Sequence, residues 1–248
     1  MDIFQKYNDK TAIFIGPGPS VNDIDISIEK SKSDAVLTLN DGIMYHDSTF
    51  YFIGEKYIFN YVRKSCSPTR LKNAKIVMMG LPFKHKERID LSYYNKFKNN
   101  MDITFIPAQK TIKNRISYNL PLVGEFSDKN MGVLSDLLNN FPIGRADYIR
   151  SRTLANSLQV CFNLGFKEIK LIGFMDSLEF SRNNMDHHKV YLNNCLKENS
   201  NIRDPKKIPI GERRASFLYQ TQILRTIKYV YEQNGKILRF LSPKVNLW

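Results

Sequence analysis

The chain has 248 residues, 42% of them hydrophobic and 12% aromatic, which suits a globular domain with an ample core and excludes a disordered chain. Its 37 Lys and Arg stand against 24 Asp and Glu, and the net charge of +13 favours anionic partners such as nucleic acid, anionic lipid or phosphorylated ligands. Three scattered cysteines (Cys66, Cys161, Cys195), a polar start from Met1 to Lys10 and no bilayer-length apolar run predict a cytoplasmic protein without structural zinc, signal peptide or membrane span.

The run "TAIFIGPGPSVNDID" begins at Thr11 and ends at Asp25. Thr11 to Ile15 reads as a short buried strand, being apolar and β-branched. Gly16, Pro17, Gly18, Pro19 and Ser20 stop it: the glycines allow a tight turn and close approach of another group, and the prolines fix φ. Ser20 then has the chemistry of a helix cap. A strand, a stiff glycine turn and a helix start suggest a nucleotide site, although neither G-x-G-x-x-G nor a P-loop is present. The alternative is a rigid turn with no ligand.

Further strand-like runs follow: "AVLTLN" (Ala35 to Asn40), "STFYFIG" (Ser48 to Gly54), "KIVMMG" (Lys75 to Gly80), "DITFIP" (Asp102 to Pro107), "EIKLIGF" (Glu168 to Phe174) and "KILRFLS" (Lys236 to Ser242). They are apolar along their whole length, as strands buried on both faces of a parallel sheet are. Between them, "RTLANSLQVCFNLG" puts Leu154, Leu158, Cys161 and Gly165 on one helix face, with Gly165 as the stop. "ERRASFLYQTQILRTIKYVYEQNG" does the same with Phe217, Leu224, Ile227 and Tyr231, and ends at Gly235. The pattern predicts a single α/β domain over 1–248, Rossmann-like, with a mostly parallel sheet flanked by helices. A small insertion is expected at 110–146 and a lid-like loop at 189–211. The basic excess gathers in Lys56 to Lys75, "LPFKHKER" and "DPKKIPIGERR". No RRM-type aromatic motif accompanies it, so nucleic acid is not expected.

Ligands of open α/β sheets bind beyond the carboxyl ends of the strands. There stand Gly16, Gly18 and Ser20; Asn40, Asp41 and Gly42; Gly54 and Glu55; and Gly173 and Asp176. The helix after Tyr148 opens with Arg150, Ser151, Arg152 and Thr153, cations and hydroxyls at a positive dipole end, which suits a phosphate or carboxylate. A solvated helix start is the plainer reading of the same residues. "MDHHKVY" offers His187 and His188 beside Asp186. Adjacent histidines argue for a general base rather than a metal pair, unless they are simply polar loop residues. "DID" at Asp23 to Asp25 has D-x-D spacing but lies past the turn and reads as a helix or loop feature.

Taken together, "GPGPS", "TLNDG", "RSRT" and "NLGFKEIKLIGFMD" followed by a histidine loop resemble the bacterial lipooligosaccharide sialyltransferases. They also resemble the wider sialyltransferase-like group, which includes flagellin motility accessory factors and an archaeal pterin pyrophosphokinase. The resemblance runs in order from Thr11 to Ser242 but rests on about four short blocks. It implies an inverting, metal-independent glycosyltransferase that needs no added cofactor and takes a nucleotide-sugar donor, CMP-linked, to a cell-surface or lipid-linked glycan. Gly16, Gly18, Pro19 and Ser20 would lie against the phosphate and ribose, and Asn40, with Asp41 beside it, against the CMP-sugar. Arg150, Arg152 and Thr153 would lie along the phosphate and sugar carboxylate, and Gly173 and Asp176 near the cytosine. His188, or less directly His187, would deprotonate the acceptor hydroxyl.

Two departures leave the donor open. Pro17 replaces the asparagine usual in the family's glycine loop, and Ser177, Leu178, Glu179 and Phe180 follow Asp176 where phosphate-binding tyrosines are usual. Sialic acid, 3-deoxy-octulosonic acid or another CMP-linked acidic sugar all fit. The basic surface would suit peripheral association with an anionic membrane at its inner face. The rival readings are a Mg-dependent pyrophosphokinase acting on a pterin and a non-catalytic nucleotide- or nucleic-acid-binding protein.

Overall fold

The computed structural model describes residues 6–80 apart from 17, 19, 22 and 23, and then 89–106, 153–174, 224 and 227–241. The strands are β1 (Thr11–Ile15), β2 (Ala35–Leu39), β3 (Phe50–Ile53), β4 (Lys75–Met79), β5 (Ile103–Ile106), β6 (Glu168–Ile172) and β7 (Ile237–Phe240). They form one sheet in the order β5-β4-β3-β2-β1-β6-β7, with every pairing parallel. The chain therefore walks outward from β1 to β5, returns across the sheet, and restarts at β6 on the other side of β1. Phe14 sits in register with Leu37 on one side and Leu171 on the other. That reversal between β1 and β6 is the topological switch point of the sheet.

The apolar runs are explained by layers on both faces. On one face Phe14, Leu37, Phe52, Val77 and Leu171 pack with helix α5 (Thr153–Leu164) through Leu158, Cys161 and Phe162, and with Ile227 and Tyr231. On the other, Tyr51, Ile53, Ile76 and Met78 meet α2 (Lys56–Ser65) through Ile58, Phe59 and Val62, and Tyr93 of α4 (Leu91–Asn95). Ile13, Ile15 and Ile172 form a smaller third cluster with Val21, Ile24 and Ile26, the last opening α1 (Ile26–Ser31). One more short helix, α3 (Pro68–Asn73), leads into β4.

Two local features differ from the sequence expectation. Ser20 does not cap a helix: its Oγ accepts the Gly173 N–H at 3.1 Å, and the cap of α1 is Asp25, whose Oδ1 accepts from Ser27 N at 2.9 Å and Ile28 N at 3.3 Å. Second, Asn40 does not extend β2 but starts a 3₁₀ helix, Asn40–Met44. The helix stops are as expected, with Gly165 at φ 99° after α5 and Gly235 at φ 65° before β7. Residues 110–146 and 189–211 lie outside the described residues.

Candidate functional site

At the switch point the loops leaving β1 and β6 are bonded to one another. Gly16 N donates to Ile172 O at 2.8 Å and Gly18 N to Gly173 O at 2.9 Å, while Gly173 N donates to Ser20. Neither Gly16 nor Gly173 has room for a side chain. A Cβ on Gly16 would lie 2.6 Å from the Phe174 ring, and one on Gly173 would lie 2.5 Å from Gly16 O and 2.6 Å from Val21. Gly173 also has φ +75°, where an L side chain is strained. The close approach that these glycines permit is thus, first, that of one loop to the other.

Beside this knot the 3₁₀ helix turns over the end of β1. Gly42 makes that possible, since a Cβ there would lie 3.1 Å from Ile15 O. Asn40 begins the turn at φ 54°, and its Oδ1 is buried without a hydrogen-bond partner among the described residues. An orphaned buried acceptor costs about 1–3 kcal/mol, and left-handed backbone on a non-glycine residue adds to it. Such a group is set up to receive a donor from outside the fold. Asp41, only 1% exposed, has a different environment. Burial, and after it the Asp41 carboxylate, pushes the Tyr51 hydroxyl well up, and the same two causes raise Tyr45.

The third wall is the start of α5. Thr153 is buried, its carbonyl accepts from Ser157 Oγ at 2.7 Å, and Ser157 Oγ lies 3.8 Å from Met79 Sδ at the carboxyl end of β4. At its other end, Leu164 O accepts from Tyr7 N at 3.0 Å, ahead of β1. The helix therefore spans the sheet and opens at the carboxyl edge, where its unpaired N–H groups carry partial positive charge. Asn156 and Ser157, both buried, join this wall and were not singled out from the sequence. Their signal was there, as two polar residues interrupting an apolar stripe. Cys161 is buried deep in that stripe and its thiol is pushed far up by desolvation, away from nucleophilic use.

Gly16, Gly18, Ser20 and Gly173 are thus brought together, Asn40 and Asp41 lie beside them across the end of β1, and Thr153 lies toward β4 on the same edge. Pro19, Arg150, Arg152, Asp176, His187 and His188 lie outside the described residues. Among the described residues, no cluster of His, Cys, Asp or Glu could hold a metal, and no helix is long and apolar enough to cross a membrane.

The fold is a Rossmann-like, all-parallel α/β sheet with its crevice at the β1/β6 reversal. No protein-family model and no curated protein matches the sequence. Solved structures do. A variant of the sialyltransferase CST-II in complex with CMP superposes with a TM-score of 0.55 at 17% identity, over 96% of this chain and 84% of that one. A second CST-II variant with CMP gives 0.52 at 16% identity, over 96% and 83%. CstII from Campylobacter jejuni with the substrate analogue CMP-3FNeuAc gives 0.47 at 16% identity, over 94% and 81%. The first two establish a shared fold.

Proposed function

We propose that the protein is an inverting glycosyltransferase that moves an acidic sugar from a CMP-linked donor to a glycan hydroxyl without a metal. The observation that carries this reading is Asn40, left-handed and with its amide oxygen buried and unmet, beside the glycine knot at the switch point. Support comes from the fold, which is that of sialyltransferase structures holding CMP, and from the sequence blocks that resemble that family. Gly16, Gly18, Pro19 and Ser20 border the ribose and phosphate, Asn40 receives a hydrogen bond from the donor, and Gly173 and Asp176 border the cytosine.

In the reaction the acceptor oxygen attacks the anomeric carbon, its proton passes to the neutral imidazole of His188, and the bond from the anomeric carbon to the phosphate oxygen breaks. The electron pair leaves with CMP. Inversion follows from attack on the face opposite the phosphate. The growing phosphate charge is met by Arg150, Arg152 and the amino end of α5 at Thr153. The test is a thermal shift with CMP, ATP or an oligonucleotide added separately, since a ligand of the native state raises its melting temperature. CMP alone should raise it. Stabilisation by ATP with Mg²⁺ but not by CMP would replace this reading with pyrophosphoryl transfer.

A further inference from the structure

The basic run that the site does not use forms one surface. From 56 to 75 the chain carries Lys56, Arg63, Lys64, Arg70, Lys72 and Lys75 and no acid. The structure places these on α2, α3 and the start of β4, and adds Lys96 and Lys98 just after α4. Helix α2 turns Ile58, Phe59, Tyr61 and Val62 inward and leaves Arg63 and Lys64 exposed. The Arg63 guanidinium lies 5.1 Å over the ring of Phe97, a half-buried residue packed on Phe59 at 5.4 Å and Tyr93 at 5.2 Å. Leu91, at the start of α4, is 58% exposed, the most of any large apolar side chain among the described residues.

The position of this surface matters as much as its composition. Ile89 N donates to Gly54 O at 3.3 Å, so α4 starts from the carboxyl edge of the sheet, where Asn40 and Gly18 also lie. Other exposed cations are neutralised locally: Lys10 by Asp34, Lys32 by Glu29 and Arg239 by Glu168. On α2 and α4 Lys56 is held by Asp90 and Arg70 by Asp47, while the local excess remains strongly positive. Cations interleaved with half-buried rings beside an exposed leucine match the layers of a lipid surface: phosphate, interfacial zone and acyl boundary. We propose that the α2–α4 surface docks on an anionic bilayer and sets the carboxyl edge of the sheet against the headgroups. If the transferase reading holds, on which this consequence rests, the acceptor glycan is lipid-linked.

Vesicle co-sedimentation of the full chain tests this without reference to catalysis. The protein should bind phosphatidylcholine vesicles containing phosphatidylglycerol, fail to bind pure phosphatidylcholine, and lose binding at high salt. Replacing Arg63, Lys64 and Lys98 by Gln should weaken binding by about 10²-fold, roughly fivefold per cation. Replacing Lys10, Lys32 and Arg239 by Gln removes the same net charge and should change it by less than threefold, because those cations are already paired. Leu91→Ser should weaken binding up to about tenfold and leave its salt dependence unaltered. Equal losses in the two triple variants would reduce the effect to net charge and overturn the proposal. So would the absence of vesicle binding, or a duplex oligonucleotide that binds through Arg63, Lys64 and Lys98 more tightly than the vesicles do. CMP binding measured on the same preparations separates the two readings. Failure on vesicles with CMP bound removes only the surface, and failure with CMP alone removes only the transferase.

Discussion

The two halves of the sheet are built on opposite terms. Around β1 and β6 the carboxyl edge is backbone against backbone, with Gly16, Gly173 and Gly42 at distances that a methyl group would violate. Around β3 to β5 the contacts are side chain against side chain, with Phe59, Tyr93 and Phe97 stacked under α2 and α4. An aromatic layer can lose a ring and keep its outline, because neighbours relax into part of the space. A knot of main-chain atoms cannot give way without moving the groups that define the crevice. Substitutions in the first half should therefore cost ligand binding and stability together, and those in the second should cost stability alone.

The largest effect should fall outside both halves. His188→Ala is expected to lower turnover by about 10²–10⁴-fold while CMP affinity stays within a few-fold, the signature of a lost proton acceptor. Wild-type turnover under chemistry-limited conditions would remove the histidine from the mechanism. Next, Phe59→Ala should cost about 3–5 kcal/mol in urea unfolding yet leave the CMP dissociation constant unchanged in the folded fraction. If affinity fell with stability there, the halves would not be separable. Gly173→Ala should cost about 2–4 kcal/mol, from positive-φ strain and the collision with Gly16 and Val21, and weaken CMP by more than tenfold. Calorimetric titration of that variant is the direct check of the knot.

The smallest effect concerns His46, which follows the 3₁₀ helix. Burial, then the charges of Lys30 and Arg70, depress its pKa from 6.5 to about 4. Above pH 6.5 the ring is neutral whether the chain is folded or not, and it contributes no pH dependence. Between 6.5 and about 4 the unfolded chain takes up the proton and the folded one does not, so stability falls as pH falls. His46→Gln should flatten that part of the pH–stability curve and leave CMP binding at pH 7.5 untouched. An unchanged slope would show that other groups set it.

Much of the fold could be read from the sequence because burial on both faces leaves strands with uninterrupted apolar runs. All seven were found, each longer by one or more residues than the strand itself, since Gly, Asn and Pro at the ends belong to the turns. Their order could not be read that way: nothing in "EIKLIGF" says that it pairs with "TAIFI" rather than extending the far edge. The site was legible as a set of strand ends, for the same topological reason. Its inner geometry was not. The hydroxyl of Ser20 suits a helix start and a distant amide equally well, and the amide won because β6 delivers Gly173 beside it. Likewise the left-handed turn at Asn40 depends on Gly42 resting against Ile15, a contact that no local pattern encodes.

Because β1 is paired with β6, the middle of the sheet is closed by a segment that begins at Glu168. During synthesis β2 to β5 are available early and pair outward from β1, while its other edge waits. At about 5–20 residues per second, the roughly 150 residues in between take on the order of 8–30 s to emerge. For that interval the nascent chain presents an apolar, hydrogen-bond-ready strand edge at the centre of its future core. Slow translation or a scarcity of holdase chaperones should therefore be felt first as aggregation of chains that end before Ile172.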